Sequence, residues 1–194
     1  RLLQPGVAGT PAEKARGFPG FEKALKIRTD LVASEPRNVV NQRALGMSYH
    51  NLGIEAELSK NAAAAKDYFE KTRDIRRKLS EADPENDRRK MELMLILPRV
   101  GESRQALELA REIAAKPKLD NEARYDLARC HSLVSKALVD TDKPTAAESR
   151  AKAIALLRDA VADGYADRTS LETEFDLDPI RDDAGFVELM KKLP

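Results

Sequence analysis

Residues 21–38 and 69–86 are similar copies of one segment. FEKALKIRTDLVASEPRN and FEKTRDIRRKLSEADPEN share 8 identical columns of 18 at an offset of 48 residues, whereas unrelated stretches of ordinary composition would share about one. Weaker matches follow, with Leu45 over Leu93 and Gly53 over Gly101. A duplication of this kind predicts a chain built from stacked copies of one supersecondary unit.

Each copy has the pattern of an amphipathic helix. In the first copy Phe21, Ala24, Ile27 and Leu31 fall on one stripe of an α-helix, because side chains three and four residues apart share a helix face. The second copy repeats this spacing from Phe69. Both copies are therefore predicted to pack one face against a neighbour.

The two helices are predicted to end at an acidic residue followed by proline, Glu35-Pro36 and Asp83-Pro84, because proline disfavours helical backbone at the residue before it. Asn38 and Asn86 come next, and asparagine is favoured at a helix N-cap. The first unit is thus expected to be a helix, a short turn and a second antiparallel helix from Val39 to about Leu58.

Four more amphipathic segments follow, so the sequence predicts seven long helices in alternating direction. Residues 87–100 and 102–116 form the next two segments, and Asn121 is expected to cap the one after them. Thr145-Ala146-Ala147-Glu148 has the pattern of a capping box that opens the last. The chain is therefore expected to be all-α.

Two short motifs resemble the tetratricopeptide repeat. Leu45-Gly46-x-x-Tyr49 is similar to its first-helix signature, and Ala65-x-x-x-Phe69, followed by Thr72, is similar to its second-helix signature. Gln42 stands where that family prefers tryptophan, and the spacing of 48 residues exceeds the usual length of about 34. The resemblance implies a right-handed α-solenoid of antiparallel helix pairs that binds proteins or peptides.

The chain also resembles the C-terminal repeat region of planctomycete-type bacterial serine/threonine kinases. Ala24-Leu25-Lys26-Ile27-Arg28 and Pro36-Arg37-Asn38 are similar to their extended repeats, and residues 156–189 are similar to the segment that closes many such arrays. The resemblance implies a cytoplasmic signalling protein whose kinase domain lies outside this chain. It also implies a C-terminal cap over the last repeat, and the apolar residues expected to form it are Phe175, Leu177, Ile180, Phe186 and Leu189.

Three segments are predicted along the chain: a linker over residues 1–20, helical repeats over 21–163 and a capping segment over 164–194. The chain has 9 glycines and 10 prolines, and seven of these residues occur in its first 20 positions. Such a composition is typical of linkers. A linker within a longer chain and a disordered terminus of a complete protein are both open interpretations.

Charge and cysteine content exclude several classes of function. Lys plus Arg number 34 and Asp plus Glu 33, giving a net charge of +1, so the clustered cationic excess of a nucleic-acid-binding protein is missing. No apolar run reaches the roughly 18–20 residues of a membrane span. The single Cys130 excludes an internal disulfide and a multi-cysteine zinc site. We expect no cofactor, no nucleic acid and no membrane as partners.

Residues that could carry chemistry have simpler interpretations. Cys130 and His131 are neighbours, and neighbours on a helix diverge by about 100°, so a buried thiol is preferred to a nucleophile with its base. His50 and His131 lack a ligand partner one helical turn away, so no metal site is expected. Asp178-Pro179 is expected to start a short helix. A solvated turn is preferred to a calcium loop for the acidic residues Glu172, Glu174, Asp176, Asp178, Asp182 and Asp183.

A basic run comprises Lys71, Arg73, Arg76, Arg77 and Lys78. A solvated helix face is the simpler interpretation of this run. Contact with an acidic partner or a phosphate is the alternative, which a salt dependence would reveal.

The resemblance implies that the first helix of each pair lines a concave groove. Its exposed positions are predicted to be Val40, Arg43, Met47 and His50, then Arg88, Met91, Leu95 and Pro98, and then Glu122, Tyr125, Arg129 and Ser132. Arginine, methionine and tyrosine are enriched at protein interfaces. The candidate peptide-binding residues are therefore Arg43, Met47, His50, Arg88, Met91, Tyr125 and Arg129.

The predicted function is a non-catalytic protein–protein interaction module that holds a peptide or a partner helix in this groove. The alternative is a structural or autoinhibitory spacer that docks on its own kinase domain or self-associates. No catalytic residues are assigned, because the sequence shows no converging set of titratable groups.

Overall fold

The computed structural model describes the backbone of residues 19–193 and the side chains of residues 23–193, and over these residues the chain is helical without strands. Most of the predicted linker lies outside this range, and its last two residues begin the first helix. The elements are α1 (Pro19–Ser34), α2 (Val39–Leu58), α3 (Ala62–Ala82), α4 (Asp87–Ile96), α5 (Ser103–Ala114), α6 (Asn121–Leu138), α7 (Lys143–Ala162), α8 (Arg168–Thr173) and α9 (Ala184–Lys191), with 3-10 helices at Leu97–Val100 and Phe175–Ile180. None of these described helices is long and apolar enough to cross a bilayer.

The seven long helices predicted from the sequence are present as α1 to α7. Asn38 caps α2, because its side chain accepts hydrogen bonds from the backbone N–H groups of Val40 and Asn41 at 3.0 and 3.2 Å. Asn86 caps α4 by accepting the N–H of Arg89 at 3.3 Å. Both predicted asparagine caps are therefore confirmed.

Two other predicted caps are wrong by one to three residues. Asp120 rather than Asn121 caps α6, since its carboxylate accepts the N–H of Ala123 at 2.8 Å. Asp142 caps α7, and its carboxylate accepts both the N–H and the hydroxyl of Thr145 at 3.2 and 2.8 Å. A carboxylate is a good N-cap and also interacts favourably with the helix dipole, so each helix starts earlier than predicted.

Irregular turns follow α4 and enter the C-terminal segment. The 3-10 helix Leu97–Val100 ends at Gly101, whose φ of +83° lies in the left-handed region that glycine adopts easily. Asp178-Pro179 does not start a short helix as predicted. It lies inside the 3-10 helix Phe175–Ile180, which Glu174 caps.

The described chain divides into two compact units, with the boundary between Leu79 and Ser80. This boundary falls in the last turns of α3 and inside the predicted repeat segment 21–163. The first unit contains α1, α2 and most of α3, and the second unit contains the remaining elements.

In the first unit α2 packs on α1 and on α3. A Cβ added at Gly46 would lie 3.3 Å from Cγ2 of Ile75, and one added at Gly53 would overlap the ring of Phe69. The two glycines therefore permit a close approach of α2 and α3. Phe69 is buried, whereas the side chain of its counterpart in the duplication, Phe21, lies outside the described side chains.

In the second unit α4 contacts α5 and α6, and α6 contacts α5 and α7. The 3-10 helix Phe175–Ile180 packs on α6 and α7, and α9 packs on α7. Four of the five apolar residues predicted for the cap are buried and the fifth, Phe175, is half-buried. The buried four are Leu177, Ile180, Phe186 and Leu189.

Candidate functional site

Six residues of α2 lie on the side of the helix that faces away from its contacts with α1 and α3. They form a row that we name the α2 seam, comprising Val40, Ala44, Met47, Asn51, Ile54 and Leu58. Their spacing alternates between four and three residues, which keeps them in line along a helix. Val40, Met47 and Leu58 expose 75%, 52% and 41% of their surface. The first unit therefore presents a mostly apolar row about 27 Å long at 1.5 Å per residue.

The packing of α2 on its other sides fixes the direction of this seam. Ser48 points toward α1, where its hydroxyl accepts a hydrogen bond from Arg28 at 2.5 Å. On the α3 side, the Thr72 hydroxyl donates to the carbonyl of Tyr68 at 2.9 Å and lies 3.5 Å from that of Gly46. Both sides of α2 are therefore occupied, one by α1 and the other by α3. The helix could rotate about its axis to bury the seam only if this packing were lost.

Three candidate residues of the predicted groove lie at or beside the α2 seam. Met47 is part of it, and Arg43 and His50 are half-buried along one border. The His50 ring packs edge-on against Phe69 with ring centroids 6.1 Å apart. Glu57 continues the same border at the next seven-residue step. The structure thus brings Arg43, Met47 and His50 together on one surface of the first unit.

Arg88 and Met91 lie on α4 in the second unit. Arg88 is exposed, and its Nε lies 3.7 Å from Oε1 of Glu92 on the same helix. Met91 is half-buried. Their use as binding residues stays a prediction.

Three of the remaining predicted groove positions are buried rather than exposed. Leu95 is 9% exposed, Pro98 is buried and Ser132 is fully buried. The reason is that α4, the following 3-10 helix and α6 pack on one another, so the sides of α4 and α6 that were expected to be open face neighbours. Exposure of these three residues is therefore a wrong prediction.

Arg129 meets a buried carboxylate of the cap. Asp176 is 2% exposed, and its Oδ2 accepts hydrogen bonds from Nη2 and Nε of Arg129 at 2.8 and 3.1 Å. Its other oxygen accepts Nη2 of Arg99 at 2.5 Å. One aspartate therefore joins the 3-10 helix after α4, helix α6 and the cap.

Two further carboxylates surround the same arginine. Asp126 lies 2.8 Å from Nη1 of Arg129, and Glu174 lies 3.4 Å from its Nε. Burial opposes the charge of Arg129, but the attraction of Asp176, Glu174 and Asp126 outweighs it and raises the pKa of the guanidinium. For the Asp126 carboxyl, burial acts in the other direction and raises the pKa, against the opposing effect of Arg129.

Tyr125 is covered by the same C-terminal segment. Its ring stacks on that of Tyr165 with centroids 5.4 Å apart, and its hydroxyl donates to the carbonyl of Ser170 at 3.4 Å. Burial, followed by the charge of Glu174, raises the pKa of the Tyr125 hydroxyl. Tyr125 and Arg129 are thus occupied by the chain's own cap.

The structural role of Asp176 could not be assigned from the local sequence pattern. Its placement in a solvated turn is wrong, since it is the buried partner of Arg99 and Arg129. The signal available in the sequence is its position between two apolar residues, Phe175 and Leu177. A carboxylate inside an apolar stretch needs a partner when that stretch is buried.

Cys130 is a buried thiol, as predicted. It is 0% exposed, and its Sγ lies 3.9 Å from the carbonyl oxygen of Met94. Burial raises its pKa, with smaller contributions from Asp176 and Asp126, so the thiol stays protonated at neutral pH. This is the opposite of the environment that activates a nucleophilic cysteine.

The basic run of α3 forms ion pairs within its own helix. Nζ of Lys71 lies 2.7 Å from Asp67, and Nη2 of Arg73 lies 2.7 Å from Asp74. The hydrogen bond from Lys71 to Asp67 is the main cause that raises the pKa of Lys71. Contact of this run with an acidic partner stays a prediction.

A cavity of about 430 Å³ lies between α5, the end of α6 and the start of α7. Asp142 in its wall is engaged as the α7 N-cap. The lining residues of the cavity are Arg104, Leu107, Glu108, Arg111, Leu138, Thr141, Asp142 and Thr145.

Among residues 19–193, no group of three or more His, Cys, Asp or Glu is arranged to hold a metal ion.

No protein-family model, no curated protein and no solved structure matches this chain.

Proposed function

We propose that the chain is a non-catalytic protein-interaction module whose binding surface is the α2 seam with its border of Arg43 and His50. The observation that carries the proposal is the distribution of exposed apolar side chains. Of the eight large hydrophobic residues exposed in the described part of the chain, six lie on α1 or α2, and three of these six form part of the seam: Val40, Met47 and Leu58. A cluster of this kind on an otherwise charged surface is typical of an interaction site.

The architecture proposed for the module is a tetratricopeptide-like array with a C-terminal cap. Its support is the duplication of residues 21–38 in 69–86 together with the contact of α4 with both α5 and α6 in the second unit. We propose the cytoplasmic C-terminal region of a bacterial serine/threonine kinase or a related signalling protein as its setting, on the basis of the sequence resemblance alone.

The proposed mechanism is the burial of an apolar ridge on the partner. Val40 and Met47 are the most exposed residues of the seam, so a partner gains most by covering them. Met side chains adapt to differently shaped partners. Arg43 and Glu57 on the border would then select partners of complementary charge.

The alternative is a spacer that docks on a linked kinase domain or on another copy of the chain. Both proposals use the same exposed surface, so the identity of the occupant separates them. A purely structural spacer would bind no peptide through Met47.

A peptide selection with matched variants tests the proposal. Peptides selected from a displayed library on the wild-type chain should bind Met47→Glu at least about tenfold more weakly, a loss of about 1.4 kcal/mol. Val139→Glu is the control, because Val139 and Met47 are each 52% exposed and Val139 lies in the second unit. Selection of no peptide, or equal binding to both variants, would overturn the proposal.

A further inference from the structure

The α2 seam has the heptad spacing of a helix that pairs with another helix. Its residues alternate in steps of four and three from Val40 to Leu58, which is the spacing of the a and d positions of a coiled coil. Five of the six are apolar, and the sixth is Asn51. The row therefore offers a second helix one continuous, mostly apolar surface, interrupted only at Asn51.

The side chains of the seam are complementary in size to those of a second copy of the seam that runs in the opposite direction. When two copies of α2 are aligned antiparallel about residue 49, each small or polar side chain meets a larger one. The pairs, written as one copy with the second copy, are Val40 with Leu58, Ala44 with Ile54 and Met47 with Asn51, each occurring twice. A parallel alignment would place Ala44 on Ala44 and leave a gap between bulkier layers.

The charges along the border are complementary in the same alignment. Arg43, His50 and Glu57 follow the seam at seven-residue steps. The antiparallel arrangement brings Arg43 of one copy close to Glu57 of the other, at both ends of the interface. In a parallel arrangement these charges would lie about 21 Å apart, at 1.5 Å of rise per residue over 14 residues.

We propose that the α2 seam is the interface of an antiparallel dimer of this chain, with a two-fold axis near residue 49. The proposal rests on the alternative form of the proposed function, in which another copy of the chain occupies the same surface. Such an interface is isologous, so each residue contact occurs twice. An interface made by one helix per copy is at the small end of protein interfaces, and the dimer should dissociate on dilution.

Charge reversal with mixing is the decisive experiment. Sedimentation of the wild-type chain from about 1 μM to about 500 μM should show a reversible monomer–dimer equilibrium. Arg43→Glu and Glu57→Arg should each weaken dimerisation at least about tenfold. An equimolar mixture of the two variants should dimerise again, because each end of the mixed pair sets an acidic residue of one copy against a basic residue of the other. Arg104→Glu, on α5 of the second unit, is the control of equal charge change.

Cysteine cross-linking tests the orientation of the two copies. Cys130 is fully buried, so added cysteines on α2 are the accessible ones. A mixture of Met47→Cys and Asn51→Cys chains should form a disulfide-linked dimer faster than either variant alone, because Met47 faces Asn51 of the second copy. Faster self-linking of Asn51→Cys would mean a parallel dimer and would overturn the proposal.

The two proposals fail in different ways. A wild-type chain that is monomeric at every concentration overturns the dimer, while peptides that need Met47 would leave the interaction module in place. Failure of the mixed variants to dimerise overturns the charge pairing even when their circular dichroism matches that of the wild type. A dimer with the expected variant pattern supports the proposal and identifies the occupant of the seam.

Discussion

At the scale of single residues, burial sets the protonation of His131. Its Nδ1 is buried and lacks a hydrogen-bond partner among the described residues. Burial is the largest cause that lowers its pKa, Lys152 and Arg111 add to the effect, and the result is a pKa of about 4 instead of 6.5. Since the unfolded chain holds the ordinary value, it binds a proton on acidification before the folded chain does.

This difference predicts a loss of stability in mild acid. The contribution of the neutral His131 to the free energy of unfolding is fully present above pH 6.5 and is lost as the pH falls toward 4. The reason is that the unfolded state binds more protons than the folded state between these two pH values. We expect a loss of about 2 kcal/mol from this residue between pH 7 and pH 4, after allowing for its partial exposure. Urea unfolding at several pH values should show that the free energy of unfolding depends less on pH in His131→Gln than in the wild type. An identical dependence in wild type and variant would contradict the expectation.

At the scale of elements, close packing of α2 on α3 depends on the missing side chain at Gly53. Glycine inside a helix costs about 1 kcal/mol of helix propensity relative to alanine. A Cβ at Gly53 would overlap the Phe69 ring, whereas one at Gly46 would meet only a methyl group of Ile75 at 3.3 Å. Replacement by alanine gains helix propensity at both positions, but the packing against α3 opposes this gain more strongly at Gly53 than at Gly46.

Alanine substitution at the two glycines should separate these effects. We expect Gly53→Ala to lower the free energy of unfolding by about 1 to 3 kcal/mol, since overpacking exceeds the gain in propensity. Gly46→Ala is the matched control on the same helix and should cost less. Thermal unfolding of both variants measures the difference, and a stabilised Gly53→Ala would show that α3 moves away without cost.

The elements were predictable from the sequence where local interactions decide them. Asn38 and Asn86 cap their helices through backbone groups two or three residues away, so the pattern of the sequence contains the whole interaction. The position of the α6 cap was missed because Asp120 and Asn121 are adjacent and both suit an N-cap. Local patterns therefore predict that a helix starts, but competing neighbours shift where it starts.

The exposure of the candidate residues was predictable from the sequence where a single helix decides it. The register that places Val40 and Met47 on an open face depends on α2 alone, and both residues are exposed. Arg129 occupies the equivalent kind of position on α6, but its partner Asp176 lies 47 residues away. An arginine at the border of an open helix face and an arginine held by the chain's own cap have the same sequence pattern, so only tertiary structure separates them.

At the scale of the whole molecule, the second unit is closed by its C-terminal segment. Arg168 donates to the carbonyls of Met190 and Leu193 at 3.3 and 3.1 Å, and Arg181 donates to those of Leu171 and Glu174 at 2.9 and 2.6 Å. These bonds hold the cap to itself. Its attachment to the preceding helices combines apolar burial with the ion pairs of Asp176.

Neutralising that aspartate should therefore detach the cap. Asp176→Asn keeps the size of the side chain but leaves Arg99 and Arg129, whose side chains are 7% and 19% exposed, without the buried carboxylate between them. Breaking a buried ion pair on one side costs about 3 to 5 kcal/mol, and we expect a loss in this range in urea unfolding. Hydrogen exchange should rise over residues 168–191 and stay unchanged over α2. Asp182→Asn is the control, because that side chain is 87% exposed and surface pairs contribute little. Equal stability of the two variants would mean that apolar burial alone holds the cap.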